Sequence, residues 1–164
     1  MPHPILLYDG VCGLCNRLVQ FTLKRDAAGV FQFASLQSEL AGRILARHGS
    51  DAGDLDTLYV LVNCDQEDER LLARSDAVIF ILRQLRAAEP RSARPDLRPG
   101  STQAIATRRF SFWQIAAAML QRIPRALRER GYRVVARNRY RVFGRYDTCP
   151  LPTEETRERF LDLD

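Results

Sequence analysis

The sequence predicts an α/β fold: a β-α-β-α-β-β-α unit over about residues 4–86, then a C-terminal α-helical extension over 110–164. Three observations point there. Short apolar runs of strand length, ILLY, VFQFASL and TLYVLVN, alternate with segments of helical period. The third run is apolar without alternation, as suits a central strand buried on both faces. A stretch at 87–109, with three prolines, several arginines and no period, reads as a long exposed loop that ends the first unit.

Each element has its own signals. After the first strand, CNRLVQFTLKR places Leu14, Leu18 and Phe21 on one helical stripe, with Lys24 and Arg25 in the last turn and Gly29 as a stop. VFQFASL gives the second strand, and Ser35 or Ser38 caps a helix in which Leu36, Leu40 and Ile44 share a face and Gly49 ends the run. A polar loop with Gly53, Asp54 and Asp56 leads to the central strand TLYVLVN. NCDQEDER is a turn, RLLA a return strand, and RSDAVIFILRQLR a helix capped by Ser75 with Val78, Leu82 and Leu85 on one stripe. Beyond the loop, Phe112, Ile115, Ala116 and Met119 share a helical face, and Pro124 opens a further helix through Arg137.

Composition bounds the function class. At 164 residues, 46% hydrophobic and 27% charged, the chain suits one soluble domain with an extension, and no apolar run approaches the roughly 18 residues that span a bilayer. The N-terminus lacks a basic, cleavable leader, so the expected location is the cytoplasm. Four cysteines are too few for a disulfide framework, and any bond formed in a reducing compartment is transient or catalytic. The net charge of +5 favours anionic partners without naming one.

The chemistry sits in YDGVCGLC, residues 8–15. Residues three apart in a first helical turn are neighbours, close enough for a short disulfide. A strand ending at Asp9-Gly10 and a helix starting near Cys12 put that thiol at a helix N-terminus, where unpaired N–H groups and the macrodipole favour a thiolate. Cys12 is then the nucleophile on a substrate disulfide, and Cys15, one turn on and less exposed, resolves the mixed disulfide. Two other origins of the pair compete with this one. A zinc set could include Cys64, Cys149 and His48, although no second CxxC is present, and two inert buried cysteines would leave the same spacing. LLYDGV also resembles the Asp-x-Asp-Gly motif of haloacid-dehalogenase phosphatases, but Leu7 stands at the nucleophile position and cannot form an aspartyl-phosphate.

With YDGVCGLC, FQFASLQS (31–38), RSDAVIFIL (74–82), IPRALRERGYRVVARNRYRVFGR (123–145) and a following Cys149, the chain resembles the DCC family of predicted thiol-disulfide oxidoreductases, named for the residues that here are Asp9, Cys12 and Cys15. The resemblance implies a thioredoxin-like core and dithiol-disulfide exchange, and no cofactor is expected. Such folds usually carry a cis-proline before the third strand, facing the cysteines. DLDTL has none, and Thr57 takes that place. Asn138, Arg139 and Tyr140 match a family block and are expected to line the redox cleft or lock the extension to the sheet. Cys149 is either a third redox thiol or a small buried residue.

Asp9 has two compatible roles, proton acceptor for Cys15 and cap of the turn and helix. Cys64 reads as structural, His48 as a partner of its helix's last carbonyls, and His3 as part of a mobile terminus. Residues 122–145 hold nine arginines against one acidic residue, Glu129. They are expected to be solvated or paired with the acidic tail EETRERFLDLD, and nucleic acid is not the expected partner. The expected partners are an unidentified disulfide- or thiol-containing substrate and an unidentified electron donor. The alternative is a non-catalytic thioredoxin-like binding module that uses its Arg-rich helices on an anionic partner.

Overall fold

The computed structural model describes residues 3–26, 28–50, 57–87, 112–146 and 154–162. Its element order is β1 (Ile5–Tyr8), α1 (Gly13–Arg25), β2 (Gln32–Ser35), α2 (Glu39–Arg47), β3 (Tyr59–Val62), β4 (Arg70–Ala73), α3 (Arg74–Ala87), α4 (Phe112–Arg122), α5 (Arg125–Phe143) and α6 (Glu154–Arg157). One sheet has the order β2-β1-β3-β4, with β1 parallel to β2 and antiparallel to β3, and β3 antiparallel to β4. This mixed sheet with its helices and C-terminal helical region is consistent with the expected thioredoxin-like fold, and both continuous apolar runs, β1 and β3, lie mid-sheet and fully buried. The expected loop at 87–109 lies outside the described residues, except that α3 runs through Ala87.

The strand period sorts the core into two layers. Leu6, Tyr8, Val60 and Val62 face one way, with Val19 of α1 and Ala77, Ile81 and Leu85 of α3. Ile5, Leu7, Tyr59 and Leu61 face the other, against Ala41, Ile44 and Leu45 of α2. Ser38 caps α2, accepting from Ala41 N–H at 3.2 Å, and Gly49 follows at φ +63°.

Several helix faces are rotated from expectation because partner helices, not the sheet alone, decide what is buried. On α3 the sheet-facing stripe is Ala77, Ile81 and Leu85, while Val78 and Leu82 are only half-buried. Ser75 is not a cap: it lies inside the first turn, and its hydroxyl donates to Glu129 of α5 at 2.5 Å. On α4 the face turned inward carries Ala117, fully buried, and Trp113, whose ring meets Phe21 edge-on at 4.8 Å; Ile115 and Met119 are exposed. Pro124 stands at the N-cap of α5, which continues six residues past Arg137, to Phe143, before Gly144 ends it at φ +78°.

The tail does not neutralise α5 among the described residues. It docks on the free edge of β2 instead, where Phe33 N–H donates to Arg159 O (2.8 Å) and Leu161 N–H to Phe33 O (2.9 Å), and Phe160 stacks on Phe33. Arg159 pairs there with Asp26, a buried carboxylate that also accepts from Val30 and Phe31 N–H at 2.9 and 2.8 Å.

Candidate active site

The site forms where β1 hands over to α1. Asp9 Oδ1 accepts from Val11 N–H (3.2 Å) and the Asp9 carbonyl from Cys12 N–H (3.2 Å), so the Asp-Gly turn closes on itself. Asn16 braces it from inside the helix, donating to Gly10 O at 2.7 Å and Cys12 O at 3.1 Å. α1 then starts at Gly13 with Cys12 as its N-cap residue, and Cys12 Sγ accepts from Cys15 N–H at 3.5 Å. A sulfur in that position is a cap that works best as an anion.

Electrostatics divide the pair. The Cys12 thiol is pulled from an ordinary 9.0 down to about 6, first by the hydrogen bond from the Cys15 side chain; burial opposes this, while the Cys15 backbone N–H and the Arg139 charge add to it. Cys15 is pushed up, first by the hydrogen bond that it gives Cys12, then by burial and the charge on Cys12; the Asp9 backbone N–H and Arg139 pull it down. One thiol holds the charge and its neighbour holds the proton.

Asp9 is the hub for the far end of the chain. It is buried, and besides Val11 N–H its carboxylate accepts from Gln37 Nε2 (2.8 Å), Arg139 Nη2 (2.9 Å) and Tyr140 OH (2.5 Å). Arg139 is only 3% exposed and also donates to Tyr140 OH at 2.8 Å. The structure thus brings together Asp9, Cys12, Cys15, Arg139 and Tyr140. Asn138 is not among them, because it sits on the outer side of α5 and donates to Val134 O in its own helix. Thr57 is buried and accepts from Arg74 Nε at 3.3 Å; the next residue, Leu58, donates its N–H to Tyr132 OH (2.8 Å), and Tyr132 and Cys15 pack on the same core cluster. No cis peptide occurs among the described residues. Cys149 lies outside them.

The order of exposure reverses the expectation. Cys12 has no accessible surface, whereas Cys15 is partly exposed. The cause is a strap made by the end of α5 and the residues after it. Gly13 N–H donates to Gly144 O (3.1 Å), Tyr146 N–H donates to Val11 O (2.8 Å), and Cys12 and Arg145 form an antiparallel bridge. The strap passes so close that a Cβ on Gly13 would lie 2.1 Å from Phe143 O.

Cys64 and His48 sit elsewhere, around the β3–β4 turn. Cys64 donates to Asp65 at 3.3 Å, and the His48 ring meets Glu69 at 2.8 Å rather than its helix carbonyls. Cys64, Asp65 and Glu69 hold their ligand atoms within 4.8 Å of one another, but Arg47 occupies the cluster, pairing with both carboxylates.

Sequence reasoning missed what Gly13, Gln37 and Tyr132 touch. Gln37 and Tyr132 lay within the blocks quoted for the family resemblance, and Gly13 between the two cysteines, but nothing local says what they touch.

The model of the DCC1-like thiol-disulfide oxidoreductase family matches residues 6–106. An uncharacterized protein, YuxK, of Bacillus subtilis (strain 168) is 31% identical over 161 residues, covering 98% of this chain and 96% of the relative. The DCC family protein At1g52590, chloroplastic, of Arabidopsis thaliana is 33% identical over 149 residues, covering 91% of this chain and 70% of the relative. No solved structure matches. The matched span contains the strand, turn and helix that build the dithiol, and the chain belongs to the DCC1-like thiol-disulfide oxidoreductase family.

Proposed function

We propose that this chain carries out dithiol-disulfide exchange through Cys12 and Cys15. Cys12 S⁻ attacks one sulfur of a substrate disulfide; the S–S bond breaks, one substrate sulfur leaves as thiolate and the other is held as a mixed disulfide. Cys15 then attacks Cys12 Sγ, releasing the second substrate thiolate and leaving a Cys12–Cys15 disulfide. The substrate gains two electrons, and an external dithiol donor returns them to the protein. The observation that carries this reading is the Cys12 sulfur at the N-cap of α1, accepting from Cys15 with the Arg139 charge nearby.

The same geometry supports the order of events. While Cys12 is anionic it keeps Cys15 protonated, since Cys12 is the first cause of the upward shift. Once Cys12 is tied up in the mixed disulfide, that cause is gone, and Arg139 and the Asp9 N–H favour the Cys15 thiolate that must attack. Asp9 holds Arg139 and Tyr140 in place, and its proposed further role is to take the Cys15 proton. A reducing compartment favours running the cycle toward substrate reduction.

Trapping tests this. Cys15→Ser should accumulate a mixed disulfide on Cys12 with a small aromatic disulfide, located by peptide mass apart from Cys64 and Cys149, and Cys12→Ser should form none on Cys15. An adduct on Cys15 in Cys12→Ser, or no adduct in either variant, contradicts the assignment. The full burial of Cys12 favours the second reading, a binding module with a structural CxxC, and the no-adduct outcome would select it.

A further inference from the structure

α5 has two working sides. Tyr132, Ala136, Arg139 and Phe143 face the core and the dithiol, while on the outer side Val134, Val135 and Val142 stay about half exposed or more. That outer side is not an ordinary polar surface. Leu127, Val134, Val135 and Val142, spaced i, i+7, i+8 and i+15, form an aliphatic stripe 49–68% exposed, which starts where Leu127 borders a cavity shared with Val78 and Ile79 of α3 and Leu120 of α4. Over 15 residues the stripe is about 22 Å long. Alongside it run Arg130, Arg133, Arg137 and Arg141, all exposed. Among the described residues none of the four has an ion pair, and no carboxylate shares this side of the helix.

Cations with no ion pair among the described residues, beside exposed aliphatics, suit a partner that is anionic and apolar in adjacent layers. A second copy of this chain would set arginines against arginines. Nucleic acid would meet the phosphate requirement but leave the valines facing polar surface, and the helix keeps its rings, Tyr132, Tyr140 and Phe143, on the other side, away from any base. We propose that this face of α5 docks on an anionic lipid bilayer, with the guanidinium groups at the headgroup phosphates and the Leu/Val stripe at the acyl boundary. Because the inner side of α5 completes the dithiol site, docking would hold that site at a membrane surface without a membrane-spanning helix; none of the described helices is long and apolar enough to span.

The test is co-sedimentation of the full chain with phosphatidylcholine vesicles, with and without phosphatidylglycerol, across a salt series. Binding should require phosphatidylglycerol and fade as ionic strength rises. Each arginine near an anionic leaflet contributes about fivefold in partitioning, so R133Q/R137Q should bind roughly 25-fold more weakly. V134S/V142S should lower binding on the order of tenfold. All four positions are exposed, and an unchanged rate of Cys12 alkylation verifies that the fold is intact. Absence of binding to phosphatidylglycerol vesicles at low salt overturns the proposal, as does equal binding by R133Q/R137Q. Vesicle binding unaffected by V134S/V142S, or binding of polyglutamate in place of vesicles, would reduce the face to a polyanion or acidic-protein surface and overturn it equally.

Discussion

Gly13→Ala tests whether the strap governs access to Cys12. The added Cβ would sit 2.1 Å from Phe143 O, 3.0 Å from Phe143 C and 3.1 Å from Gly144 O, all backbone atoms that no rotamer change can remove. Ordinary C···O contact needs a separation about 1 Å larger, so the strap must lift. Lifting breaks the bonds from Gly13 N–H to Gly144 O and from Tyr146 N–H to Val11 O. At about 1 kcal/mol each the strap loses about 2 kcal/mol, roughly a 30-fold shift toward the open form. Alanine's better helix propensity, up to about 1 kcal/mol, stabilises α1 and does not offset this, because it acts equally whether the strap is on or off. The assay is the alkylation rate of Cys12, mapped by peptide mass, at a pH where the thiolate predominates in both proteins. An increase of about 30-fold is expected. A rate equal to the parent's, with unchanged thermal stability, would refute the claim that the strap buries the nucleophile.

Other consequences follow from the same contacts. Arg139→Met strands the buried Asp9 carboxylate and should destabilise the fold by about 3–5 kcal/mol in denaturant unfolding, with Asp9→Asn added to it restoring part of the loss. The surviving folded protein should show a Cys12 thiol that ionises at higher pH, because Arg139 favours the thiolate. Asp26→Ala removes the acceptor for Val30 and Phe31 N–H and the partner of Arg159, and should lower stability by about 3 kcal/mol while leaving Cys12 titration unchanged. For pH, Cys12 is an acid whose folded value, about 6, lies below the unfolded 9.0, so its contribution is fully present above about 9 and is lost as pH falls through 6. Cys15, pushed up, acts with the opposite sign above about 9, where the unfolded thiol ionises and the folded one does not. The urea midpoint of the reduced protein should therefore climb from pH 6 to about 9 and decline beyond it, and the rise should vanish in Cys12→Ser; a flat profile contradicts the thiolate cap.

What the sequence made legible was local. The continuous apolar run of β3 marks a central strand because burial on both faces leaves no polar position, whereas β1 reads only as a strand and its mid-sheet place comes from the topology. The Asp-Gly turn and the i, i+3 cysteines marked the N-cap because capping is decided within four residues. What it hid was set by distant partners. Asp9 meets Arg139 across 130 positions and Gln37 across 28, and neither contact has a periodic signature. The exposure order of the cysteines was misjudged because Cys12 is covered by residues 143–146, which carry no local sign of a strap. The stripes of α3 and α4 differ from the apolar periodicity because tertiary packing buries the small residues Ala77, against the sheet, and Ala117, leaving Ile115 and Met119 outside. Charge alone leaves the arginines either solvated or paired with the acidic tail, and the unpaired edge of β2 and the buried Asp26 determine where the tail docks.

The most direct test of the central claim is the rate of alkylation of the reduced protein against pH, with each labelled cysteine located by mass spectrometry. The account predicts that Cys12 titrates with an apparent pKa near 6 and that Cys15 stays protected through neutral pH. Cys12 titrating at or above the value of a free cysteine, or Cys15 reacting first, would contradict it.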